Sequence, residues 1–188
     1  MPHKSGAEGW KYKMPEFLEN AQIQSILQII GKRVPTSSRL VLIGGCALAL
    51  LGSPRLTIDL DFIGDDLSPS RLDKTIMQVA KELEIFAEPV PLQRFIPLPA
   101  GSSERAIFYA KFENLAVFIA DPYSIALSKL ERGFDTDIED IIFLIQHAYI
   151  EFAELKQIME NTLPLAHEFD IDAAELSNHL QIVRKRIK

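Results

Sequence analysis

Residues 40–62, LVLIGGCALALLGSPRLTIDLDF, contain an apolar run closed by two glycines and a second apolar run carrying two aspartates one residue apart. The first run, Arg39 to Ile43, is short, β-branched and bounded by PTSS and GG, which reads as a buried strand. Cys46 to Leu51 reads as a short helix, and Thr57 to Ile63 as the next strand. Side chains alternate along a strand, so Ile58, Leu60 and Phe62 face one way and Thr57, Asp59 and Asp61 the other. The two carboxylates then share a face with α-carbons roughly 6.6 Å apart, close enough to converge on one divalent cation.

Two aspartates weaken a strand through like-charge repulsion and low β-propensity, so their presence points either to a functional site or to a solvent-facing edge with an acidic side. Gly44 and Gly45 carry a similar ambiguity. Between a strand and a helix they leave backbone N–H groups free to meet a phosphate, and they equally serve a tight turn needing positive φ or close packing. A phosphate cradle beside a carboxylate pair is the combination that phosphoryl or nucleotidyl transfer requires.

Outward from this stretch, Ile23, Ile26, Leu27 and Ile30 follow helical spacing, predicting a helix from about Pro15 to Lys32 that Pro35 prevents from continuing. Downstream, Leu72, Ile76, Val79, Ala80 and Leu83 predict a second amphipathic helix, with Ser68 as cap and Pro69 at its first position. Three candidate strands follow in PVPLQRFIPL, RAIFYAKFE and LAVFIA, the last two joined tightly through Glu113-Asn114 as an antiparallel hairpin. From Asp121 the chain reads as helical, with segments at Ile125–Arg132, Ile138–Ile145, Phe152–Asn161 and Ala173–Lys188. Asp121-Pro122 is a helix cap with proline at the first position, and Thr136-x-x-Glu139 matches a capping box. The expected organisation is an α/β (α+β) portion over residues 1–120 and a helical portion over 121–188.

At 188 residues the chain is long enough for a proper core, and 47% hydrophobic with 24% charged residues fits an ordinary globular protein. A net charge of −6 argues against a surface that coats nucleic acid broadly, although a local basic groove is compatible with it. Cys46 is the single cysteine, which excludes an intrachain disulfide and a cysteine metal cluster and reads best as a small buried residue. His3, His147, His167 and His179 show no metal-ligand spacing. No apolar run reaches the roughly 20 residues of a membrane span, and the polar N-terminus lacks a signal-peptide centre, so a cytoplasmic protein with no membrane partner is expected. The Gly-x-Gly-x-x-Gly of a dinucleotide fold is missing. The basic RKRIK end suits the negative pole of a helix.

Gly44-Gly45, thirteen intervening residues and Asp59-Leu60-Asp61 resemble the signature of the DNA polymerase β-like nucleotidyltransferase superfamily. More narrowly, Gly44, Gly45, Ala47, Arg55, Thr57, Asp59 and Asp61 resemble the pattern of AbiEii/AbiGii-type toxin nucleotidyltransferases and related nucleotidyltransferase-like proteins. A second match follows in DPYSIALSKLERGFDTDIEDI, where Lys129-Leu130, Arg132, Asp137 and Asp140 fit the family's helix pair. Together they span residues 40–144.

The resemblance implies a small mixed β-sheet with flanking helices, completed by the C-terminal helical portion. It implies that Asp59 and Asp61 bind Mg²⁺ (or Mn²⁺) while Gly44 and Gly45, with Arg55, Thr57 and Asp140, hold a nucleoside triphosphate substrate. Lys129 would neutralise phosphate charge and Asp137 would orient it or assist the nucleophile; by composition alone, Lys129 equally suits a solvated helix face. The implied reaction moves a nucleotidyl group to an RNA or protein acceptor, in a toxin with a cognate antitoxin; the alternative is a catalytically silent nucleotide-binding or partner-binding module. Many superfamily members carry a third carboxylate on a neighbouring strand. LAVFIA, the strand expected to bear it, has none, and Glu104 and Glu113 do not align with it.

Overall fold

The computed structural model describes residues 17–187. The N-terminal segment containing His3 and Pro15, and Lys188 at the other end, lie outside the described residues. Five strands form one mixed sheet: β1 (Ser38–Leu42), β2 (Asp59–Ile63), β3 (Phe86–Val90), β4 (Ile107–Phe112) and β5 (Leu115–Ile119), in the order β3-β2-β1-β5-β4. β1 runs antiparallel to β2 and parallel to β5; β2 and β3 are parallel, and β4 and β5 form the expected hairpin. Seven helices accompany it among the described residues: α1 (Asn20–Arg33), α2 (Gly44–Leu50), α3 (Arg71–Glu82), α4 (Pro122–Arg132), α5 (Asp135–Gln146), α6 (Phe152–Thr162) and α7 (Ala173–Arg186). The mixed α/β class read from the sequence is the one observed. None of these helices is long and apolar enough to cross a membrane.

Strand alternation gives the sheet one buried face and one partly open face. Leu40, Leu42, Leu60, Phe62, Leu115, Val117 and Ile119 are essentially inaccessible and share one core with Ile23, Leu27 and Ile30 of α1 and Ile76 and Val79 of α3. The opposite face carries Arg39, Val41, Asp59, Asp61, Glu88 and Phe118, all exposed or half-buried. After β5 the chain turns into α4, which packs against α5, α6 and α7. Asp121 caps α4 as expected, accepting hydrogen bonds from the Tyr123 and Ser124 amides, and is clasped by the Arg105 guanidinium at 2.8 and 2.9 Å.

Several boundaries differ from the sequence reading for local reasons. α1 begins at Asn20, where Glu19 and Gln22 close a capping box, and not at Pro15. α3 is capped by Ser70, which exchanges hydrogen bonds with Asp73, so Ser68 and Pro69 precede the helix. α5 starts one residue before Thr136, leaving the expected Thr136-x-x-Glu139 box inside the helix with no side-chain cap. Thr57 and Ile58 precede β2. The strand expected within PVPLQRFIPL lies earlier, at Phe86–Val90, followed by a 3-10 turn at Leu92–Arg94.

Candidate functional site

The glycines and the aspartates explain each other. The Ile43 amide donates to the Asp61 carbonyl at 3.0 Å, which brings the β1–α2 turn onto β2. Gly44 there has φ +70°, and any Cβ on it would collide with the Asp61 carboxylate. A Cβ on Gly45 would lie 2.7 Å from Thr57 Oγ1. The turn therefore needs glycine on two grounds, left-handed backbone at Gly44 and close approach of Gly44 to Asp61 and of Gly45 to Thr57.

Beyond the turn lies a cavity of about 690 Å³, within the usual range for a small-molecule site. Gly44, Asp59, Asp61 and Glu88 line one side, and Ser128, Lys129 and Arg132 of α4 line another. Arg94, Phe95, Phe169 and Asp170 also contribute. Glu88 enters because β2 and β3 pair in parallel with Asp61 opposite Glu88, which puts the two side chains on one face.

These acids are sparsely paired. Thr57 Oγ1 donates to Asp59 Oδ1 at 2.8 Å, whereas among the described residues neither the Asp61 nor the Glu88 carboxylate has a hydrogen-bond or ion-pair partner. Burial, followed by repulsion from Asp59 and Glu88, pushes the Asp61 carboxyl up to about 7. Burial beside Asp61 likewise pushes the Cys46 thiol up, which makes it an inert core residue. A hard divalent cation would relieve the carboxylate repulsion, and this all-oxygen donor set suits Mg²⁺ or Mn²⁺. Among the described residues no three acids already form a metal cluster, and Mg²⁺ does not need one, since it is held by one or two carboxylates with water and phosphate oxygens completing its shell.

The cations opposite the acids are tightly paired with one another's partners. Lys129 is buried, its ammonium 3.0 Å from Asp137 and 2.6 Å from Asp140. Asp140 also pairs with Arg55, and Asp137 with Arg132 at 2.5 Å. Burial alone would raise the Asp137 carboxyl, but its bonds to Arg132 and Lys129 outweigh that and hold it below the usual range. The same pairing outweighs burial at Arg132 and keeps its guanidinium firmly charged.

Of the nine residues singled out in the sequence, Gly44, Asp59, Asp61 and Lys129 line the cavity. Gly45 and Thr57 support the turn from behind, and Arg55, Asp137 and Asp140 belong to the buried ion network. Glu88 escapes the sequence reading as a site residue because the strand expected there, PVPLQRFIPL, begins one residue later at Pro89, whereas β3 begins at Phe86. The signal that could have found it is the crossover itself, since a helix leaving β2 is normally followed at once by a strand pairing with it. Arg132, with a side chain 54% exposed, meets the cavity more openly than Lys129 at 3%.

The family described as "Nucleotidyltransferase of unknown function (DUF6036)" matches residues 21–188. The chain belongs to that family. Neither a curated protein nor a solved structure matches it. In this DUF6036 nucleotidyltransferase the family match takes in the whole sheet, both sides of the cavity and the ion network between α4 and α5.

Proposed function

We propose that the cavity binds a nucleoside triphosphate with Mg²⁺ or Mn²⁺ and that the protein transfers its nucleotidyl group to an acceptor. The observation that carries this reading is the alignment of Asp59, Asp61 and Glu88 on one cavity side without cationic partners of their own. Asp59 and Asp61 would hold the cation, which supplies positive charge to the reacting phosphates as negative charge builds on the leaving pyrophosphate. The acceptor oxygen bonds to the α-phosphorus, the bond to the β-phosphate oxygen breaks, and Glu88 is the carboxylate left to take the acceptor's proton. Arg132 would meet the phosphates from α4, while Lys129 holds Asp137 and Asp140 in place behind it.

Residues 121–188 are then a helical portion that completes a site begun by residues 1–120. The resemblance of residues 40–144 to AbiEii/AbiGii-type enzymes supports a cytoplasmic toxin with RNA or protein as acceptor and an antitoxin as partner. The test is incubation with each α-labelled nucleoside triphosphate, Mg²⁺ and a bacterial extract, beside the Asp59→Asn/Asp61→Asn variant. Label retained on macromolecules by the wild type alone supports the reading; equal retention by both, or none with any nucleotide, refutes it.

A further inference from the structure

The open face of the sheet does not end at the acids. The register of β1, β5 and β4 sets Val41 beside Phe118 and Phe118 beside Phe108, while Arg39, Ala116 and Lys111 form the neighbouring row. Phe108 is 57% exposed. Its ring meets Phe118 edge to face at 5.4 Å, and the Arg39 guanidinium lies 4.4 Å from the centre of the Phe118 ring. In a chain of net charge −6, these three strands contain no acidic residue and present Arg39 and Lys111 on this face. The nearest acid in sequence is Glu113, at the tip of the β4–β5 hairpin.

Aromatic rings beside cations on three strands that carry no acid suit a single-stranded nucleic acid, whose bases stack on the rings while its phosphates meet the cations. We infer that the Arg39, Phe108, Lys111 and Phe118 face is a binding platform for single-stranded nucleic acid, delivering a strand end to the carboxylates on β2. The delivery step rests on the transferase reading above. At about 4.8 Å between strands and about 3.4 Å per residue, Phe118 stands roughly 12 Å from Asp61 across the same face.

The test is fluorescence anisotropy of the full chain with a labelled mixed-sequence RNA of about 12 nucleotides, without nucleotide or metal, against a duplex of the same sequence. Binding of the single strand is expected to weaken steeply between about 50 and 200 mM salt. Phe108→Ala should weaken it by about 10-fold, Phe108→Tyr should retain it, and Arg39→Glu should lose most of it. Nucleoside triphosphate binding, read separately as a Mg²⁺-dependent thermal shift, should be unchanged in all three variants and lost in Asp59→Asn/Asp61→Asn.

Strand binding that survives in Asp59→Asn/Asp61→Asn supports the platform even if no nucleotide binds, in which case only the transferase reading fails. Absence of single-strand binding by the wild type, equal affinity for the duplex, or indifference to both Phe108→Ala and Arg39→Glu overturns the platform. A protein acceptor labelled in extract with no strand binding would do the same.

Discussion

Asp61→Asn should make the metal-free protein more stable at pH 8, not less. Burial, followed by repulsion from Asp59 and Glu88, pushes the wild-type carboxyl in the folded chain up to about 7 from an ordinary 3.8. Below both values the carboxyl is protonated in either state and costs nothing. Between them the folded state holds the proton longer than the unfolded state, so stability falls as pH rises, and above about 7 the loss is complete. Between 3.8 and about 7, at about 1.4 kcal/mol per pH step of one, the loss comes to ~4 kcal/mol, and residual solvent access reduces it to about 2 kcal/mol. Asparagine carries no charge at any of these pH values. For a chain of this size the gain at pH 8 appears as a rise in Tm of roughly 4–8 °C, measurable by calorimetry in the presence of a chelator. The difference between variant and wild type should fade towards pH 4, and Mg²⁺ should raise the wild type more than the variant. A variant no more stable than wild type at pH 8, with a difference flat from pH 4 to 8, would refute the account of Asp61 as an unpaired, repelled carboxylate.

The ion network should separate support from contact. Lys129→Met leaves Asp137 and Asp140 buried with fewer partners and should lower stability by about 3–5 kcal/mol in denaturant titration. Arg132→Ala, at a half-exposed position, should weaken triphosphate binding by about 10-fold by calorimetric titration while stability changes by about 1 kcal/mol. Gly45→Ala pushes a methyl against Thr57 Oγ1 and should cost about 1–3 kcal/mol, a loss that Thr57→Ala in the same chain should partly restore, as a double-mutant cycle would reveal. Ser70→Ala removes the cap of α3 and should lower stability by about 1 kcal/mol on the same titration.

Elements with strong periodicity were legible in the sequence. The apolar spacing of Ile23 to Ile30, the alternation of Leu60 and Phe62, and the tight Glu113-Asn114 link each specify their structure locally. The glycine pair and the two aspartates could be joined into one site because both lie within a single β1–α2–β2 unit. What stayed hidden depends on long-range pairing. Glu88 reaches the acids through parallel register across a crossover helix, and the strand expected from composition begins just after it, at Pro89. Lys129 looked like a free cation because its partners become neighbours only when α4 and α5 fold back on each other. The sequence pattern favours Ser68 as the cap because Pro69 suits a first helical position, whereas the structure uses Ser70, whose partner Asp73 lies three residues further on.

Arg55 belongs to the loop between α2 and β2, whereas Asp140, its partner, lies in α5, and that single bond crosses the line dividing the sheet portion from the helical one. Asp140 is simultaneously the partner of Lys129 and almost wholly buried. Cutting the chain near residue 120 would strand complementary halves of one electrostatic joint on separate pieces. Neither piece should then be a self-sufficient module to graft elsewhere, and the two added together should recover a fold that each alone lacks. The helical portion is thus one half of a single folded body, and a graft of it would have to bring along the loop that carries its matching arginine.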